Sequence, residues 1–395
     1  MKPKLLVIPH IYAEDIRIRS IEFARRLTDY FEVYCMRWRK DMLHVYDASP
    51  HRRRMKQLRA GLVSLCHRLD KKKGRDGVIY VDAPHLQPLL LKRFMGMRLA
   101  LHFSRTFNTC VLNYLVRHLN INIILMASER FYFPTVPGVR KFFDIVDWFD
   151  EDSVSPQILK ETRQYLGYLA SHADGIFAVS DALAEKLNTE YNLQAIGLPN
   201  GADLQILRNV PKEHVQSVRK KWGLSGKFVI GYIGNHAPYA GIDFVLEMFK
   251  SLREEMRDAC LFVVGPVDCW RDTIANFGLK DAIFTGQISP LEIPAYFHAI
   301  DIGILAQYKS PGTDFAFQIK IVEYTACRKF VVSTPLLVWQ RLNWPNVILA
   351  NQTVEDWVRA IITARDLRWQ PEWDNIVEPY DWKALSQRLA DYLLG

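Results

Sequence analysis

Short, unbroken apolar runs of strand length recur along this chain, most of them separated by stretches with helical periodicity. KLLVI at 4–8, FEVYCM at 31–36, GVIYV at 77–81, NIILM at 122–126, KFFDIV at 141–146 and GIFAV at 175–179 form one series, with a helix expected near 17–29. Such runs are buried on both faces, which requires a parallel sheet covered by helices on each side. The series then starts again with FVIGYI (228–233), a helix carrying Val245, Leu246, Phe249 and Leu252, and CLFVVG, AIFTG, DIGILA and KFVVST. Between the two lies QAIGLPNGAD, punctuated by Gly, Pro and Asn-Gly. With 395 residues the chain suits two domains. The expected division is an N-terminal doubly wound domain over 1–198, a second over 199–378, and a segment at 379–395 whose helix packs back on the first.

The apolar content, 49% of residues, supplies two cores. No stretch reaches the roughly 18 uninterrupted apolar residues of a spanning helix. Near Leu89–Phe103 the longest candidate is broken by Lys92, Arg93 and Arg98. The N-terminus lacks the pattern of a signal peptide. The six cysteines form no CxxC pair and no zinc-finger spacing, so they read as reduced, mostly buried thiols, and no metal is expected. The net charge of +8 comes from the first half, and mainly from 51–75, which holds ten basic residues and one acid. Met55, Leu58, Leu62, Leu65 and Leu69 fall there at helical intervals among Arg and Lys. A basic amphipathic helix of this kind suits an anionic membrane surface. A core-packed helix with a solvated basic face fits the same pattern. Nucleic acid is not expected as a partner, because no stacking or zinc motif accompanies the charge.

Chemistry is concentrated in FAFQIKIVEYTACRKFVV, residues 315–332. Lys320 and Glu323 are spaced i, i+3 and share one face at the start of a helix. Doubly wound sheets bind ligands at the carboxyl ends of strands, beside helix N-termini. A Glu there can accept hydrogen bonds from both ribose hydroxyls, and a Lys can meet a diphosphate. An ordinary surface Lys–Glu pair has the same spacing. Gly234 directly follows a strand, where a missing side chain lets backbone approach a phosphate, although a simple tight turn also needs a Gly. Asn235 and His236 follow it as phosphate or sugar contacts. No G-x-G-x-x-G is present, so no dinucleotide cofactor is indicated.

The same stretch resembles the K-x-x-E-Y-x-A-x-G-x-P-V-V motif of GT-B glycosyltransferases, the nearest variety being those that build capsular, teichuronic and other exopolysaccharides. Lys320, Glu323, Tyr324, Ala326, Val331 and Val332 match it. Arg328 replaces the usual Gly, Phe330 the usual Pro, and Gln318 stands where Pro is common. The second acid of retaining members would fall at residue 315, which is Phe, with Asp314 one place off. FAVSDALAEKLN (177–188), LPNGAD (198–203), GYIGNHAPYAGID (231–243), LFVVGP (261–266) and IFTGQISPLEIPAYFHAIDIGILAQY (283–308) follow the family pattern in order. KFFDIVDWFDED (141–152) is similar to its D-x-x-D-x-W segment.

The resemblance implies an α/β GT-B architecture of two Rossmann-like domains facing an interdomain cleft. It implies a nucleotide-diphosphate sugar as donor, held by Gly234, Asn235, Lys320, Glu323 and, beside Lys320, Arg328. Asp147 becomes the general base, and Arg19 a contact to the acceptor or its phosphate, although a salt pair at a helix start suits Arg19 equally. The acceptor would be a cell-surface glycan or its lipid-linked precursor. No metal or other cofactor is implied, and the location would be cytoplasmic, peripheral at the inner face of the plasma membrane. A non-catalytic GT-B subunit that scaffolds glycan assembly, or a nucleotide-sugar epimerase, are the alternatives.

Overall fold

The computed structural model describes residues 2–10, 18–37, 69–86, 88–148 and 156–395, with side chains omitted at 88–94 and 97. The chain forms two compact units, Met1–Pro199 with Leu385–Gly395, and Asn200–Ala384.

The first unit contains, among the described residues, eight strands: β1 (Lys4–Ile8), β2 (Glu32–Met36), β3 (Asp70–Lys73), β4 (Ile79–Asp82), β5 (Ile123–Met126), β6 (Arg140–Ile145), β7 (Gly175–Ala178) and β8 (Ile196–Gly197). They lie in the order β3-β4-β2-β1-β5-β6-β7-β8, parallel except for β3 against β4. Leu5–Ile8 are almost wholly buried, as a strand with helices on both faces requires. The C-terminal helix runs Trp382–Leu394. From Leu385 onward it belongs to this unit, where Arg140 Nη1 donates to Leu393 O (2.7 Å) and Arg388 Nη2 to Gly197 O (2.9 Å).

One strand departs from the pattern. β3 is built from Asp70 and Lys71–Lys73, all exposed, with no apolar residue to announce it. It exists because a turn closed by Gly74 N to Val78 O (2.8 Å), with Gly77 at φ 83°, folds the chain back on β4. Lys71–Lys73 thus lie on an edge strand rather than a helix, where lysines discourage pairing with another chain. The expected amphipathic stripe lies, up to Leu65, outside the described residues.

The second unit carries β9 (Phe228–Ile233), β10 (Ala259–Val264), β11 (Ala282–Phe284), β12 (Ile302–Leu305), β13 (Phe330–Ser333) and β14 (Val347–Leu349). All are parallel, in the order β11-β10-β9-β12-β13-β14. The helix Ile242–Glu255 buries Val245, Leu246, Phe249 and Leu252, the spacing read from the sequence. They join Ile230, Leu261 and Trp357 in one core cluster.

The strand order reverses beside β9, between β10 and β12. There β9 and β12 pair only at Ile230–Ile302 and Gly231–Gly303. Tyr324, fully buried on the helix Ile319–Ala326, fills the gap. Its Oη accepts from Ile233 N (2.9 Å) and donates to Gly231 O (3.0 Å). Its ring lies against Gly303, where a Cβ would come within 2.7 Å of it. The same helix ends in a left-handed residue, Arg328 at φ 57°, with Lys329 N bonded back to Tyr324 O (3.0 Å). This is a position that glycine fills without strain, and the arginine costs about 1–2 kcal/mol there. Phe330, in place of a proline, packs edge-on against Trp369 and Trp373.

Tyr324→Phe strips two backbone groups of β9 of their partner. Each buried unsatisfied group costs about 1–3 kcal/mol, so the variant is expected to unfold at clearly lower urea concentration than wild type. An unchanged midpoint would show that water replaces the hydroxyl.

Candidate functional site

At the switch point of the second unit, Gly234 follows β9 with φ 136° and Gly265 follows β10 with φ 126°. Lys320, the second residue of the helix after β12, extends across Gly234, and its Nζ donates to Asn235 O at 3.5 Å. A Cβ on Gly234 would fall 1.9 Å from Lys320 Cε. The ammonium also lies 5.8 Å from the centre of the Tyr232 ring. Crowding by protein lowers the Lys320 pKa to about 8, against the opposing charge of Glu323 one turn on. Lys320 is part-exposed while protein crowds its ammonium, so it combines access with poor hydration. His236 is buried against the Tyr232 ring, with Nε2 3.2 Å from Val264 O and no partner for Nδ1. Burial, and secondarily the Lys320 charge, lower its pKa to about 3 and keep it neutral.

The first unit has a second titrating group at its own switch point, where β1 lies between β2 and β5. His10 follows β1 and Asp147 follows β6, and both line a cavity of 340 Å³. Burial raises the Asp147 pKa; the His10 charge opposes this and the Asp144 charge adds to it. The His10 pKa is lowered, first by desolvation. Asp147 opens to solvent, but the protein around it withholds full hydration.

The structure brings Gly234, the Asn235 carbonyl, Lys320 and Glu323 together; the Asn235 side chain points to solvent. Two expectations require correction. Arg328 stands at the far end of the Lys320 helix, about 12 Å along its axis at 1.5 Å per residue. Its guanidinium is bound to Asp374 at 3.0 and 2.5 Å, away from the glycine turn. Arg19 heads the helix Arg19–Arg26 and is buried, with Nε and Nη2 on Asp144 at 2.8 and 3.0 Å and Nη1 on Pro199 O at 2.7 Å. A buried guanidinium must be paired, so Arg19 fixes β6 instead of facing a ligand. Asp314 accepts from Leu337 N (3.0 Å) at the start of another helix. Among the described residues no group of His, Cys, Asp and Glu is assembled to hold a metal, and no helix is long and apolar enough to cross a membrane.

Residues 227–366, which contain this glycine turn and helix, match the family described as glycosyl transferases group 1. A Bacillus subtilis (strain 168) protein described as a candidate teichuronic acid biosynthesis glycosyltransferase, TuaH, is 26% identical over 235 residues. The match spans 57% of this chain and 57% of that relative. Among solved structures, HepE of Anabaena in complex with UDP aligns with TM-score 0.68 at 15% identity, covering 100% of both chains. A UDP-forming α,α-trehalose-phosphate synthase from Burkholderia xenovorans aligns with TM-score 0.71 at 12% identity, covering 100% of this chain and 99% of that one. The second unit thus contains a stretch similar to group 1 glycosyltransferases, and the chain has the GT-B fold. Within this GT-B chain, the sequence reading named the Tyr324 position without its task and passed over His10. Both lie where strand ends part, so the switch-point rule combined with the strand order would have found them.

The low Lys320 pKa gives the group 1 domain a pH signature. The ammonium is present below about pH 8 and is lost above it. For the nucleotide ligand proposed below, affinity for UDP by calorimetry is expected to be level near pH 6.5 and to fall at higher pH, by at most about tenfold per unit. Lys320→Met should bind more weakly and lose this slope. A flat wild-type profile would show that the ammonium does not meet the ligand.

Proposed function

We propose that this GT-B chain is a glycosyltransferase that moves a sugar from a nucleotide-diphosphate donor to a hydroxyl of a cell-surface glycan or its lipid-linked precursor. The observation that carries this reading is the Lys320–Glu323 pair set over the Gly234 turn, within a group 1 domain. Lys320 and the backbone amides of the turn would take the diphosphate, and Glu323 the ribose hydroxyls. The similar HepE, solved with UDP, and the similar UDP-forming trehalose-phosphate synthase support a uridine nucleotide.

In the reaction, an acceptor oxygen bonds to the anomeric carbon as the bond from that carbon to the diphosphate oxygen breaks. The acceptor proton passes to Asp147, and the charge that develops on the leaving diphosphate meets Lys320. A carboxylate whose pKa is raised is a stronger base than a free one, which supports this role for Asp147. Peripheral attachment through the basic segment 51–75 at the inner face of the plasma membrane, and the lipid-linked acceptor, rest on the charge of that segment.

Glu323→Ala is expected to lose roughly 1.5–3 kcal/mol of nucleotide affinity with the fold intact. Unchanged affinity by calorimetry would remove Glu323 from the donor site. Asp147→Asn should leave donor affinity in place and cut turnover by a factor of at least 10²–10⁴, the usual worth of a general base. In the wild type, turnover should fall on the acid side as Asp147 protonates, at a pH above the ordinary carboxylate value of 3.8. Near wild-type turnover in the Asn variant would assign the base to another group.

A further inference from the structure

The first unit contains a second, larger cavity that the donor chemistry does not use. It measures 740 Å³ and lies between the helices Pro88–Leu119 and Pro156–His172, with Tyr132 from the segment after β5. That volume is within the range of small-molecule sites, roughly 300–1,000 Å³. Three tyrosines line it. The ring centres of Tyr132 and Tyr168 are 4.9 Å apart, and those of Tyr165 and Tyr168 5.6 Å. The hydroxyls of Tyr165 and Tyr168 are engaged with Phe131 O and Phe133 N, both at 2.7 Å, so these rings are held rigidly.

Charged and amide side chains complete the lining. Glu161 is largely buried and forms loose ion pairs across the cavity, with its side chain 11% exposed. Its nearest cations, Arg98 and Arg105, stand at 3.7 Å. Gln164 is exposed beside it with both amide functions available, and the Arg98 guanidinium is 72% exposed. Arg105 lies over the Tyr165 ring at 4.8 Å. Rigid aromatic faces next to a carboxylate, an amide and a guanidinium suit one ligand class. Sugar rings present C–H faces, slightly positive, to the negative face of an aromatic ring. Around the edge they present hydroxyls, which donate to carboxylates and accept from amides and guanidinium groups.

Arg105 and Tyr165 also line the 340 Å³ cavity that holds Asp147 and His10. We propose that the larger cavity is a subsite for sugar rings of the acceptor glycan, with Tyr132, Tyr168, Glu161 and Gln164 gripping the rings and the shared Arg105–Tyr165 wall leading the reacting hydroxyl to Asp147. This deepens the transferase reading and rests on it for the word acceptor, while glycan binding itself needs no donor.

The test is a glycan array carrying neutral, amino and uronic acid oligosaccharides, probed with the full chain, with UDP calorimetry alongside. Wild type is expected to retain a set of glycans at least two rings long. Tyr132→Ala, Gln164→Ala and Glu161→Gln should each reduce that signal tenfold or more with UDP binding unchanged. Gln164 is exposed, so its variant keeps the test valid if Tyr132→Ala fails to fold. No glycan retained by wild type, or retention unaltered in Gln164→Ala and Glu161→Gln, would overturn the subsite. Glycan retention lost in the variants, in a chain that binds no UDP, would uphold the subsite and refute the transferase reading instead.

Discussion

Position 234 has no room for a side chain, and the geometry of the turn after β9 follows from that. A Cβ there would meet Lys320 Cε at 1.9 Å, and one on Gly265 would meet the Gly234 carbonyl at the same distance. Two glycines at the ends of adjacent strands therefore let a lysine stem lie directly on backbone. The lysine reaches the turn because Tyr324, one helical turn later, is bonded to both sides of the end of β9. The tyrosine sets the helix, the helix sets the lysine, and the glycines admit it. The crowding that results also withholds water from the ammonium, so the lowered Lys320 pKa and the close packing have one cause.

In the first unit an ion pair has the corresponding task. Arg19 and Asp144 are both buried and joined by two hydrogen bonds, which ties the first helix to β6. Buried pairs contribute little net stability, because desolvation offsets most of their attraction. Their effect is positional: removing one partner strands the other charge, so the register of β6 against the helix is held strictly. Asp147 is three residues beyond Asp144 and inherits that register, which sets it into its cavity beside His10.

The parallel sheets were legible because runs such as LLVI and CLFVV are apolar without alternation, and only burial on both faces accommodates them. β3 was not, since Asp70 and Lys71–Lys73 carry no strand signal and pair only through the turn at Gly74–Gly77. Lys320 and Glu323 could be read from spacing because a helix fixes i, i+3 neighbours locally. Arg328 misled for the complementary reason. A cation eight residues from Lys320 looks near in sequence, but a straight helix carries it away from the turn, and its left-handed backbone marks it as a helix end. Arg19 and the tyrosine-lined cavity depend on contacts more than 20 residues apart, and no local pattern encodes those.

The two perturbed groups move in opposite directions for a single reason. Desolvation penalises whichever form is charged, so it lowers Lys320 and raises Asp147. Their ordinary values are 10.5 and 3.8, and both are displaced toward neutrality. If both act as proposed, lysine as cation and aspartate as anion, the working interval lies between the raised Asp147 value and about pH 8. Narrowing that interval costs operating range but would suit both groups to the proposed roles. The aspartate becomes a better proton acceptor near neutrality, and the poorly hydrated ammonium gains more from meeting an anion than a solvated one would. An ordinary solvated lysine on a helix surface would not show the lowering seen at Lys320, and that difference separates the Lys320–Glu323 pair from the many with the same spacing.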